Sequence, residues 1–283
     1  MTEEWGFDSL WVPETPVTPE PGLDCFTTLG AFVEHTDRLT LGTCVILVPL
    51  RHPAILAKEV ATLDYLSGGR IVLGVGVGGA SSAALQVSGV DPRERGARTD
   101  EALEIVTRLW TGDTVSHHGR FYHFDDMCME PVPVQRPRPP IWVGGESEGA
   151  LRRTARWGDG YVPARITPAG YHRAIQRIER YTREMGREAS NITRALHLYF
   201  RIGEDVERAE RDANEAIFKR VGTGLALTGE RGCAVGTPDD CARTIQRFIS
   251  AGVEHFVVNP ACDPPEYVTQ LERFARDVLP RFR

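Results

Sequence analysis

The chain has 283 residues, 41% of them hydrophobic and 25% charged, with a net charge of −6 and a pI near 5.8. These values suit a folded globular unit with its own core, and the acidic balance excludes a surface built for nucleic acid or anionic membrane, which needs a basic excess. No run approaches ~18 apolar residues, and the first eight residues show no basic or apolar region, so neither a membrane span nor a secretion signal is read. Six scattered cysteines (Cys25, Cys44, Cys128, Cys233, Cys241, Cys262) form no Cys-x-x-Cys pair and have no histidine cluster at zinc spacing beside them. Reduced thiols, no metal and a cytoplasmic location are therefore expected. Lys58 and Lys219 are the only lysines; codon bias accounts for the arginine excess better than phosphate recognition throughout the chain.

Short β-branched apolar runs alternate with longer amphipathic ones along the chain, the pattern of a parallel sheet with crossover helices. Strands are expected at 7–13, 39–48, 70–77, 140–144, 159–163, 193–202 and 254–259. His52-Pro53 opens a helix with Leu56, Val60 and Leu63 on one face, and Gly68-Gly69 closes it. Residues 112–139 read as a long loop with an aromatic, hairpin-like piece from Gly119 to Phe124. A helix from about Glu148 to Arg156 follows, then one opened by Thr167-Pro168. Asp205 caps a helix to about Val221, and the Gly-rich stretch 222–236 reads as a second loop. Thr237-Pro238-Asp239-Asp240 supplies a cap, a first-turn proline and two first-turn acids, and Pro264 to Leu279 closes the chain as a helix. Seven such units wound right-handedly imply a (β/α)8 barrel in one domain, 1–283; an open doubly wound sheet is the rival. Thr2 to Gly6 read as the end of a helix entering strand 7–13, so the first strand of the barrel is expected to be lacking.

Two glycine motifs carry candidate chemistry. Gly74-Val-Gly76-Val-Gly78-Gly79 ends an apolar strand and is formally a G-x-G-x-x-G. A dinucleotide site would need those glycines to open a helix and an acid about 20 residues on, and neither is present. In a barrel they let a flat ligand lie against the C-terminal end of the strand; a tight bend without a ligand is the plainer reading. Gly144-Gly145-Glu146-Ser147 lies between a strand and a helix, where free amides of Gly145, Glu146 and Ser147 and the Ser147 hydroxyl are placed to hold a phosphate. An ordinary Ser N-cap is the alternative there.

Taken together in their order, Phe7 to Glu14, Leu41 to Val45, Arg70 to Gly76, Arg95 with Asp100-Glu101, Pro140 to Gly145 and Trp157 to Gly160 resemble the bacterial luciferase-like superfamily. Within it they are most similar to the actinobacterial branch that uses the deazaflavin coenzyme F420. The resemblance covers nearly the whole chain and implies a TIM barrel of the luciferase-like type. It implies an oxidoreductase or monooxygenase that uses F420, or FMN as the alternative, on a small organic substrate, with a homodimer as the assembly. It places a non-proline cis peptide at Cys44-Val45 behind the cofactor ring, Gly76 and Gly78 beside the ring or its chain, and Gly144, Gly145, Glu146 and Ser147 by the phosphate. Glu14 becomes the candidate catalytic acid at the end of a strand.

Two departures matter. Where deazaflavin dehydrogenases of the family carry a His after that acid and a Glu after the G-x-G strand, this chain has Thr15 and Gly79. His52, His117, His118 and His123 are the possible replacements, although each sits where a loop or cap histidine is ordinary. A flavin-binding protein without catalysis is the second functional reading, and catalysis by positioning, with the cofactor carrying the electrons, is compatible with the first.

Overall fold

The structure is a computed structural model that describes residues 2–14, 16, 22–79, 83–221 and 231–283. Its elements follow in chain order. The first half holds β1 (Ser9–Val12), α1 (Cys25–Glu34), β2 (Thr40–Thr43), β3 (Ile46–Leu47), α2 (Pro53–Ser67), β4 (Ile71–Gly76), α3 (Ala83–Val87), α4 (Arg95–Leu109), β5 (Val115–His118), β6 (His123–Met127) and β7 (Ile141–Val143). The second half holds α5 (Glu148–Trp157), β8 (Gly160–Tyr161), α6 (Pro168–Glu184), β9 (Thr193–Ile202), α7 (Val206–Val221), β10 (Cys233–Gly236), α8 (Pro238–Ser250), β11 (His255–Pro260) and α9 (Tyr267–Asp277).

All pairings of the main sheet are parallel, from β1 through β2, β4, β7 and β8 to β9, with β3 on β4 and with β10 and β11 both on β9. Intervening helices cover one face, as a luciferase-like TIM barrel requires. The seven expected strands are all present, with the second divided into β2 and β3 around Cys44-Val45, whose peptide bond is cis. Residues 115–127 form the antiparallel β5–β6 hairpin, in which the Glu101 carboxylate accepts the amides of Phe121 (3.0 Å) and Tyr122 (2.9 Å) and so pins the hairpin to α4.

One expectation is corrected. Residues 233–236, expected within a loop, are β10, which pairs with the upper end of β9 from Cys233↔Tyr199 to Gly236↔Ile202. The remainder of that stretch, 222–230, lies outside the described residues. Along β9 the amides of Thr193 and His197 reach Asp159 and Pro163, whereas those of Tyr199 and Gly203 reach Gly232 and Gly236. Alternate amides point to one edge of a strand, so β8 and β10 share that edge, one below the other. The opposite edge belongs to β11.

The helices start where the sequence places their caps. Thr237 and Asp240 form a capping box on α8, and Ser147 and Thr167 cap α5 and α6. The helix-facing core has two main parts. One is built on α1, α2 and α4 around Leu29, Leu56, Leu103 and Trp110; the other is built on α6, α8 and α9 around Ile178, Phe200 and Phe248. All six cysteines are unpaired, and among the described residues no helix is long and apolar enough to span a membrane and no group of His, Cys, Asp or Glu is placed to hold a metal.

Candidate active site at the C-terminal ends of the strands

A strand buried on both faces turns alternate side chains inward, so the lumen of a small barrel fills in layers. The lower layer here is Trp11, Val72, Trp142, Ala195 and Val257. Trp11 and Trp142 stack at 4.7 Å, and His255 meets both rings edge-on. Gly42 and Gly160 have no side chain because the rings of Trp11 and Trp142 occupy that space. His255 also bonds Ser9 across the gap between β11 and β1, at 3.1 Å.

Two and four residues further along each strand, the period of 2 gives the upper part of the lumen: Gly74 and Gly76 on β4, Gly144 after β7, His197 and Tyr199 on β9, and Asn259 on β11. Cys44 and Val45 complete it from the β2–β3 junction. The Val45 side chain lies between two of the glycines. A Cβ on Gly76 would stand 2.7 Å from Val45 Cγ2, and one on Gly144 would stand 3.2 Å from Val45 Cγ1. The result is a smooth floor of Val45, Gly76 and Gly144. Burial pushes the Cys44 thiol up to about 12, so it stays a neutral thiol.

Above this floor Gly145, at φ 103°, turns the chain into α5, a conformation that disfavours any side chain. The Ser147 hydroxyl accepts the Ala150 amide at 3.2 Å, so its oxygen already caps the helix. Among the described residues the amides of Gly145, Glu146 and Ser147 have no protein acceptor. Burial raises the Glu146 carboxyl, against the opposing pull of Arg165 and Arg231. The buried Tyr161 hydroxyl is likewise without a partner among the described residues. A cradle of free amides and small residues fits a phosphate-bearing group. The Gly78 carbonyl, on a residue at φ 77°, accepts Arg95 Nε–H at 3.2 Å, while a Cβ on Gly79 would meet nothing within 4 Å among the described residues.

Glu14 is placed differently from a free acid. Its carboxylate is 4% exposed, accepts the Leu47 amide at 2.6 Å through one oxygen and pairs with Arg51 through the other. Both oxygens are thus committed to the segment that follows Cys44-Val45. Thr15 lies outside the described residues. The four candidate histidines are elsewhere: His52 caps α2, His117 bonds Glu101 at 3.1 Å, and His118 and His123 face each other across the hairpin.

Sequence reasoning missed the polar wall of this layer. Tyr267 OH donates to Asn259 Oδ1 at 2.6 Å, and Asn259 Nδ2 lies 3.2 Å from His197 Nε2. The His197 ring meets Tyr199 edge-on at 4.7 Å. Burial, with the charges of Arg165 and Arg220 nearby, lowers His197 to about 4, so it is neutral at physiological pH. The available signal was a polar residue on the inward period of an otherwise apolar strand, at its C-terminal end: His197 two places after Ala195, and Asn259 two after Val257.

Comparison with known proteins gives the family and the fold. The sequence profile of the luciferase-like monooxygenases matches residues 1–255. An F420-dependent glucose-6-phosphate dehydrogenase of Kineococcus radiotolerans is 28% identical over 318 aligned positions, spanning 100% of this chain and 91% of the relative. Among solved structures, an F420-dependent secondary alcohol dehydrogenase in complex with an F420-acetone adduct superposes with a TM-score of 0.85 at 22% identity, covering 100% and 92% of the two chains. The monooxygenase RslO1 from Streptomyces bottropensis superposes with a TM-score of 0.83 at 26% identity, covering 99% and 90%.

Proposed function

Because the chain belongs to the luciferase-like monooxygenase family, we propose that it is an oxidoreductase that takes coenzyme F420, with FMN as the alternative, and acts on a small organic substrate. The observation that carries this reading is the floor of Val45, Gly76 and Gly144 lying next to three unengaged amides at Gly145, Glu146 and Ser147. A flat ring needs such a floor, and its phosphate tail needs such amides. The F420-dependent relatives favour the deazaflavin over FMN. Six unpaired cysteines suit a reducing compartment such as the cytoplasm.

When bound, the deazaflavin or flavin supplies the electron chemistry. The chain's own part is positional. Val45, Gly76, Gly144, Gly78 and Cys44 would hold the ring, and the amides at 145–147 would hold the phosphate. Glu14 acts through Leu47 and Arg51, fixing the segment that carries Val45. Gly79 contributes no ionisable group, so protonation is left to solvent or substrate.

The test is a side-by-side titration of the purified protein with F420, FMN and NADPH, followed by fluorescence. Saturable quenching of F420 at the lowest concentration is expected, with FMN weaker. Binding of NADPH alone, or of none of the three, overturns the proposal.

A further inference from the structure

The polar wall of the upper layer has a fixed hydrogen-bond direction, and that direction leaves one donor at its end. Arg220 Nη1 contacts Tyr267 OH at 3.1 Å. A guanidinium has N–H groups and no acceptor, so the tyrosine oxygen receives that bond and its own proton points onward to Asn259 Oδ1, at 2.6 Å. With the amide oxygen so occupied, Asn259 presents Nδ2–H to His197 Nε2, at 3.2 Å. Nε2 must then carry the lone pair. A neutral imidazole with its lone pair on Nε2 has its proton on Nδ1. The run from Arg220 through Tyr267 and Asn259 therefore selects one tautomer of His197. Among the described residues, Nδ1–H has no protein acceptor.

We propose that His197 is the group that binds the reacting oxygen of a carbonyl substrate, with Asn259, Tyr267 and Arg220 as positioning residues that hold its Nδ1–H tautomer. This rests on the oxidoreductase reading above and names the substrate class for the same site. His197 lies two residues above the lumen-filling Ala195, so the strand's period of 2 turns its side chain into the same lumen as Val45, which packs in the layer of Ala195. A bound, reduced cofactor would supply hydride; as a ketone or enone accepts it, the C=O π pair moves onto oxygen. His197 bonds that oxygen and keeps its own proton, and water provides the proton that completes the product. A neutral donor suits the task because it favours the developing oxyanion without first surrendering a proton. Two cations add to the effect. Arg220 stands behind the relay, and Arg165, at φ 56°, lies close enough to disfavour a positive imidazole. A positive field of this kind that resists the imidazolium also favours an oxyanion.

The first measurement is nitrogen-15 NMR of histidine-labelled protein, with and without cofactor. His197 is expected as the Nδ1–H tautomer, and its Nδ1 proton is expected to move downfield when cyclohex-2-enone is added. An Nε2–H tautomer, or a proton that the enone leaves unmoved, overturns the proposal. The second measurement uses cofactor-loaded His197→Phe and His197→Gln. The Phe variant should lower kcat/KM for cyclohex-2-enone by about a hundredfold, the scale of one lost oxyanion donor, at unchanged cofactor Kd. The Gln variant, which keeps an N–H, should recover part of that loss. A Phe variant that turns over like the parent, or one that loses cofactor affinity as far as it loses turnover, overturns it. If the parent binds no flavin or deazaflavin, the oxidoreductase reading falls, while the tautomer and the enone shift still decide on His197.

Discussion

His197 is held uncharged where an imidazole in water would titrate near 6.5. Burial in the lumen, with Arg165 and Arg220 beside it, sets its folded value at about 4. The unfolded chain therefore binds a proton between those two values that the folded chain does not. The contribution of His197 to stability is present above about pH 6.5, falls as pH drops towards 4, and is at most roughly 3 kcal/mol over that window. His255, also lowered by burial, adds to the slope, whereas Glu59 and Glu146, raised by burial, oppose it. The readout is thus a difference: urea unfolding at pH 7.0 and 4.5 should show a smaller loss for His197→Gln than for the parent. Equal losses would place the titrating group elsewhere. Glu14 is a second case in which surroundings decide the role. Its committed oxygens predict that Glu14→Gln costs about 2 kcal/mol of stability, because a buried charge pair is broken but Arg51 retains Asp24 at 3.6 Å and Glu59 at 3.5 Å. Cofactor affinity should fall with it. Lost turnover at unchanged stability and affinity would instead make Glu14 a chemical participant.

At the scale of elements, the turn from β7 into α5 combines a structural duty with a proposed binding one, and two substitutions separate them. Ser147→Ala removes the N-cap and should lower stability by about 1 kcal/mol, with little change in cofactor affinity, because the proposed ligands are amides. Gly145→Asp should weaken cofactor binding by at least about tenfold more than Gly145→Ala does, since both strain a φ of 103° but only Asp adds a negative charge. Equal losses in the two variants would show that the backbone, and not the anion, is what matters there. The element missed in the sequence, β10, follows a related logic. Cys233 to Gly236 is a run of four residues beside a Gly-rich stretch, too short for its periodicity to distinguish strand from loop. It becomes a strand because the upper edge of β9 outruns β8 and offers unpaired backbone groups from Tyr199 to Ile202.

Over the whole molecule, the helix-facing cores share one continuous sheet, whose inner face carries the Trp11–Trp142 stack. We propose a single domain, and urea unfolding followed by tryptophan fluorescence and by circular dichroism should give one coincident transition. Two separated transitions would divide the chain. The amino-acid sequence by itself determined the alternation of strands and helices, the caps at Ser147, Thr167 and Thr237, and the glycines at the ends of β4 and β7, because each depends on neighbours a few residues away. It also supported the family resemblance, through the order of short motifs. Only the tertiary structure decided that Val45 lies between Gly76 and Gly144, that Glu14 is occupied by Leu47 and Arg51, and that His197, Asn259, Tyr267 and Arg220 form one run of hydrogen bonds. Those partners lie up to 99 positions apart, the separation of Val45 from Gly144. Local periodicity places a side chain on a face of its own strand, but which groups meet across the lumen depends on how the strands pair and tilt, and so does the choice of which nitrogen of His197 carries the proton.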